Sequence, residues 1–311
     1  MGGRVKKLLA LLTVAVGLLL VLMPSMAGAI TNGQPDNNTH PYVGELLFYV
    51  PDESDPRFAD PGGWFTCTGT LLNSTIVVTA GHCTYGTGLN GASTTAGGGS
   101  GSGGNDVWIN FSEAPDFSML QPSSTFTSNA ARYASWSAAL DASSQWHRAS
   151  SFPHPQFDPN AFVLHDMGVL RLKVPVTMNA YGQLPPLNLL DQVLKTKSHF
   201  TQVGYGLEKS GPKIALGGDT RRDADEVLVN LNGVHGVGKG VAAQFSNDKG
   251  VVHQGGSCFG DSGGPAILNG TRIVTAVNSF GISQTCTGTT NEYRLDQPDD
   301  LAYLATFGVT P

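Results

Sequence analysis

One octapeptide carries most of the chemistry this chain could perform: CFGDSGGP, residues 258–265. A serine hydroxyl is a poor nucleophile until a base removes its proton. Acyl transfer also needs donors aimed at the oxygen that becomes negative. Glycines around Ser262 let the backbone turn tightly and bring amides close to a substrate. The N–H groups of Gly260 and Ser262 are therefore the candidate oxyanion donors. Gly-Asp-Ser-Gly-Gly could be a plain turn, but the whole octapeptide is more specific than a turn requires. The base should be a histidine. Of the eight present, His82 lies in TAGHC (79–83), directly after the run STIVV, at a strand end and beside a cysteine that can pin it. His40, His154 and His199 sit by turns or in mixed surface sequence. No histidine pair has metal-site spacing with carboxylates, so no metal and no cofactor is expected. The third member must be a carboxylate that holds the imidazole in one tautomer. Asp166 opens DMGVLRL and can be buried at the base of a strand, where an imidazole N–H would satisfy it. Its neighbour His165 is a rival whose surroundings match no base motif.

The elements that must position these residues read as strands. Short β-prone runs recur between turn signals: YVGELLFYV (42–50), STIVVTA (74–80), DVWINF (106–111), MGVLRLKV (167–174), FTQVGYG (200–206), EVLVNL (226–231) and RIVTAVNSF (272–280). With 40 glycines, 18 prolines and only 14% charged residues in 311, the chain suits many short strands and turns. No internal repeat and no long amphipathic helix is found. A single helix is expected at the end, with Pro298 in its first turn, Asp299 and Asp300 near its positive pole, and Leu301, Leu304 and Ala305 on one face before Gly308. Residues 86–105 and 207–224 read as exposed surface loops.

The first 29 residues read as a signal peptide: basic Arg4, Lys6 and Lys7, an apolar run from Leu8 to Met23, then Ala27-Gly28-Ala29. The run is short for a membrane anchor. The net charge is −6; removing the leader leaves 15 basic against 24 acidic residues, or −9. Such a balance gives no electrostatic case for nucleic acid or anionic membranes. Export would leave the four cysteines paired, and spacing alone allows three pairings.

The order His, Asp, Ser, with TAGHC, DMGVL and GDSGGP, resembles the chymotrypsin/trypsin family of serine proteases. The resemblance spans essentially all of the chain after the leader. It implies an all-β fold of two packed six-stranded antiparallel β-barrels with a short C-terminal α-helix, the boundary falling near 175–195. His82 and Asp166 would come from the first barrel and Ser262 from the second, with TQVGYG (201–206) opening that second barrel. It also implies the pairs Cys67–Cys83, bracing the histidine loop, and Cys258–Cys286, bracing the specificity pocket. In this family a new N-terminus folds inward and its ammonium pairs with the aspartate before the nucleophile. Ile30-Thr31-Asn32-Gly33 is similar to that segment, Asp261 would be its partner, and no propeptide separates it from the leader. The site would then be assembled as soon as the leader is removed.

Pocket residues implied by the resemblance are Gly256, Ser257, Ser279, Phe280 and Gly281. Gly256 stands where trypsin-like members carry the aspartate that selects Arg or Lys, Asn278 stands where glutamate-specific relatives carry a histidine, and no Asp lies in TGTTNEY (287–293). Neutral or apolar P1 residues are therefore expected. The implied protein is a secreted, extracellular, monomeric endopeptidase acting on proteins or peptides, with no nucleic acid partner and no stable membrane association. The competing reading is an inactive homologue serving as a binding or regulatory module, but all three triad residues are kept. An α/β-hydrolase is excluded by the residue order, which runs His, Asp, Ser and not Ser, Asp, His.

Overall fold

The computed structural model describes residues 30–89, 104–196, 198–247 and 254–311. The expected leader and residues 90–103 of the Gly/Ser-rich loop lie outside the described residues.

Six strands close into a first barrel: β2 (Val43–Val50), β3 (Gly63–Leu71), β4 (Ile76–Thr79), β5 (Val107–Asn110), β6 (Trp146–Pro153) and β7 (Gly168–Leu172), in the order β2-β3-β4-β7-β6-β5. Every pairing is antiparallel, and β2 with β5 closes the ring. Its interior is filled by Val43, Leu46, Phe48, Leu71, Val77, Val107, Ile109 and Leu170, all buried. A second barrel is built from β8 (His199–Gly204), β11 (Arg222–Asn230), β12 (Ala242–Asn247), β13 (Pro265–Leu268), β14 (Val274–Gly281) and β15 (Gly288–Arg294). Here β8 pairs with both β11 and β13, so this ring closes too; β1 (Gln34–Pro35) is added on the β11 edge. Phe200, Leu228, Phe245, Ala266 and Ala276 form its core. Burying each Phe contributes about 1.5–3 kcal/mol. The two six-stranded antiparallel barrels expected from the sequence are thus present.

The barrels are joined by a buried polar node. Arg221, before β11, bonds Asp36 Oδ2 at 2.8 Å, the carbonyls of Val43 and Phe111 at 3.0 Å, and Tyr205 Oη at 3.0 Å. Arg221 and Asp36 are both almost fully buried. Each charge would be costly alone and is tolerated because the other is there.

Two local expectations differ from the structure. Residues 207–217 form a hairpin, β9 (Leu207–Gly211) with β10 (Ile214–Gly217), and β11 begins at Arg222. The polar composition that reads as a loop belongs to a strand pair outside both barrels. A helix, α1 (Asn129–Ala142), is also present, although no long helix reads from the sequence before the C-terminus. Its apolar residues form no stripe, so amphipathic periodicity does not reveal it. It is held by its N-terminus instead. Ser128 Oγ accepts from Ala131 N at 3.1 Å, and the Asp60 carboxylate accepts from the amides of Asn129 and Ala130, both at 2.8 Å. It covers the outer face of the first barrel, where Leu47, Trp108, Leu140 and Trp146 cluster. A short α2 (Leu189–Val193) follows the first barrel. The C-terminal helix is α3 (Pro298–Ala305), with Pro298 in its first turn and Leu304 fully buried, as expected. Tyr303 Oη ties it to the end of β6, donating to the carbonyls of Phe152 and Pro153. Among the described residues, no helix is long and apolar enough to cross a membrane.

Candidate active site

β4 ends at Thr79 and runs directly into a single 3-10 turn, Gly81–Cys83, which carries His82. The turn is fixed at both sides. Cys83 is disulfide-bonded to Cys67 on β3, and the His82 backbone amide donates to Asp166 Oδ1 at 2.8 Å. Asp166 sits just before β7, the strand paired with β4, so the barrel itself brings the two together. The imidazole Nδ1 lies 3.0 Å from Asp166 Oδ2 and 3.1 Å from Oδ1. Asp166 is fully buried, while the His82 side chain is 29% exposed and so open to a substrate. Burial alone would push the imidazole pKa down. Attraction to Asp166 and the hydrogen bond it accepts outweigh that, so His82 sits above the ordinary value.

Ser262 comes from the loop that precedes β13, in the other barrel. The loop is pressed against the His82 segment. Thr68 N donates to Ser262 O at 2.7 Å, and Cys83 Sγ lies 3.8 Å from the same oxygen. Gly263 has φ +77°, and a Cβ there would meet Thr79 Oγ1 at 2.0 Å and the Thr68 carbonyl at 2.5 Å. Only glycine allows so close an approach between the nucleophile loop and the end of β4. Gly260 has φ +99°, with no room for a side chain beside Gly206, and its carbonyl is held by Thr68 Oγ1 at 3.1 Å. This fixes the peptide between Gly260 and Asp261, which lies between the two peptides bearing the expected oxyanion donors. The second disulfide, Cys258–Cys286, ties the start of this loop to the segment before β15. Both pairings are those the resemblance implied.

The fold and its loops agree with a direct match: the family model for Trypsin fits residues 132–294, a little over half of the chain. The chain belongs to the trypsin family. No curated protein matches it in sequence. Among solved structures it is similar to HL collagenase (TM-score 0.57, 14% identity, covering 93% of this chain and all of that one). GrC is similar at TM-score 0.56 and 15% identity, over 91% of this chain and 99% of that one. Neuropsin, a serine protease expressed in the limbic system of mouse brain, is similar at TM-score 0.55 and 15% identity, over 90% of this chain and all of that one. At such identities these neighbours speak to fold alone.

In this trypsin-family chain a pocket of about 230 Å³ opens beside Ser262. Ser257, Ser279, Phe280 and Gly281, four of the five expected residues, line it. Gly256 does not. It lies behind the wall, its amide and carbonyl paired with the backbone of Thr31 at 3.1 and 2.9 Å. Asn278 and the threonines 287, 289 and 290, from segments the sequence already brought to the pocket, also line it, while Phe259 and Ser283 were missed. Sequence reasoning also missed a role for Ser279, whose hydroxyl donates to Asp166 Oδ2 at 2.5 Å and links the pocket wall to the His82–Asp166 pair. Behind Thr290 two acids are fully buried, Glu226 and Glu292, with Thr290 Oγ1 3.5 Å from Glu226 Oε1. Glu292 belongs to the segment in which only aspartate was sought. Burial first, then nearby carboxylates, pushes both carboxyls well above the usual range. Thr290 therefore stands in front of two buried carboxyls whose charged forms are disfavoured.

Asp261 is fully buried and accepts amide hydrogens from Gly206 and Cys258, both at 2.7 Å. Burial pushes its carboxyl up to about 7, and the amides of Cys258 and Gly206 pull it only part of the way back. Ile30 is also fully buried, and the backbone bridge between Thr31 and Gly256 holds the first described residues against the segment that leads to Asp261.

Proposed function

We propose that the chain is an exported serine endopeptidase that cleaves peptide bonds through an acyl-enzyme. The observation that carries this reading is the buried Asp166 carboxylate, which grips both the ring and the backbone of His82 while the Ser262 loop is pressed against the same turn. His82, held as the Nδ1–H tautomer by Asp166, takes the Ser262 hydroxyl proton on Nε2. Ser262 Oγ forms a bond to the scissile carbonyl carbon, and the carbonyl electrons move onto an oxygen stabilised by the amides of Gly260 and Ser262. The protonated His82 then gives its proton to the leaving amine as the peptide C–N bond breaks. Water repeats the sequence on the acyl group and restores Ser262.

Ser279 and Gly281 offer backbone bonds to an extended substrate, and the threonine lining, with Glu226 and Glu292 disfavoured as charged groups behind it, supports a neutral or apolar P1 residue. Residues 1–29 would be removed on export, and the mature chain would run from Ile30 to Pro311. The new ammonium of Ile30 would pair with Asp261 without a zymogen stage. N-terminal sequencing of the exported protein should then read Ile-Thr-Asn-Gly. The test of function is a peptide-library cleavage profile of the mature protein beside Ser262→Ala. The proposal expects cleavage after neutral residues, lost in the variant. Best cleavage after Arg or Lys would overturn the pocket reading, and equal activity in the variant would overturn the mechanism.

A further inference from the structure

A second cluster of chemistry-bearing side chains includes the residue just before Asp166. His154 follows β6, His165 precedes Asp166, and Asp299 and Asp300 open α3. One ligand atom from each of the four falls within 4.8 Å of every other. His165 Nδ1 is 3.3 Å from Asp299 Oδ2, and His154 Nε2 is 4.0 Å from Asp300 Oδ1. The two imidazoles are nearly parallel, with centroids 4.9 Å apart.

Three features of the cluster bear on what it could hold. His165 has φ +53°, a backbone region that costs a non-glycine residue free energy. Its Nδ1 is buried and makes no hydrogen bond among the described residues. Asp300 is fully buried, and the donor it meets is a single tyrosine hydroxyl, Tyr293 Oη, at 3.1 Å from both oxygens. Two imidazole nitrogens and two carboxylate oxygens are a ligand set for a borderline divalent ion, and zinc takes four such ligands in a tetrahedron. Calcium, which takes six to eight oxygens, does not suit two imidazoles.

The other two groupings of this kind among the described residues are already committed. Cys67 and Cys83 beside His82 are in a disulfide, and Asp36 beside His40 and Asp223 is held by Arg221.

We infer that His154, His165, Asp299 and Asp300 form a zinc site that fastens the segment carrying Asp166 to α3. This runs against the expectation, from the sequence, of no metal site. The spacing of these residues along the chain gives no hint of it, because the first barrel and α3 bring together three separate segments. On binding, the His154 ring proton must leave Nε2 and reside on Nδ1, and the contact from Gln156 N to Nδ1, 3.2 Å, gives way. Asp300 ligates as the carboxylate, and any proton it holds passes to water.

The test uses the untagged mature protein, stripped with a chelator and titrated with zinc chloride, read by calorimetry and by thermal unfolding. One equivalent should bind, and Tm should rise by about 5 °C at a hundredfold excess over Kd. His165→Asn, whose side chain tolerates the left-handed backbone, and Asp299→Asn, on a side chain 45% exposed, should both lose that rise while unfolding normally without zinc. Absence of binding by the unaltered protein would overturn the inference. So would binding that survives both substitutions and disappears in His40→Gln, which would put the ion beside Asp36 and Asp223.

Discussion

At the scale of single residues, the proposed chemistry depends on how Asp166 treats His82. The carboxylate is buried and meets the ring Nδ1, the His82 amide and the Ser279 hydroxyl. Its attraction is what raises the imidazole pKa against the opposing effect of burial. A general base works only when neutral, so the rate should climb with pH through the raised His82 value. In Asp166→Asn the raising cause is gone while burial still lowers the pKa, so the acid limb should move to lower pH. The tautomer is also no longer held, and kcat/KM should fall roughly 10⁴-fold. A pH profile of peptide hydrolysis for both proteins checks the two effects together. An acid limb that stays in place would mean that Asp166 does not tune His82.

At the scale of elements, the reactive turn is fixed by bonds that cross between strands. Cys67–Cys83 closes a loop of 16 residues between β3 and the turn bearing His82. Replacing both cysteines by alanine should cost about 3 kcal/mol of stability and lower kcat more than it raises KM, since it loosens the base and leaves the pocket alone. Urea unfolding and steady-state kinetics on the double variant check this. A loss confined to KM would show that the turn is held by Asp166 without the disulfide. The legible parts of the sequence were those where a rule acts within one short segment. Seven β-prone runs correspond to β2, β4, β5, β7, β8, β11 and β14. TAGHC and GDSGGP are legible as short strings, although the contacts that require their glycines, Gly263 against Thr79 and Gly260 against Gly206, come from distant segments. β3, β6, β12, β13 and β15 were not read, being more polar or interrupted by turn-forming residues. α1 was invisible because its hold comes from Asp60, almost seventy residues away in the chain. The donation of Ser279 to Asp166 and the burial of Glu226 behind Thr290 likewise depend on closure of the barrels.

At the scale of the whole molecule, the proposed mechanism requires the two barrels and a freed Ile30 terminus to meet. With Ile30 still joined to residues before it, the Asp261 carboxyl has a pKa of about 7, against 3.8 for the free group. Between those values the folded form holds a proton that the unfolded chain has lost, so stability falls as pH rises through that window and then levels. A free ammonium at Ile30 would stabilise the carboxylate and remove the loss. Protein starting at Ile30 should therefore match a version bearing an added Gly-Ser near pH 4, then exceed it by about 3 kcal/mol at pH 8. Thermal unfolding across that range checks it, and superimposable curves would dissociate the terminus from Asp261. The most direct measurement concerns the nucleophile. Mature protein treated with a peptidyl organophosphonate and digested for mass spectrometry should carry a single adduct, on Ser262, and His82→Ala should carry almost none. An adduct elsewhere, or labelling of Ser262 that is indifferent to His82, would contradict the account.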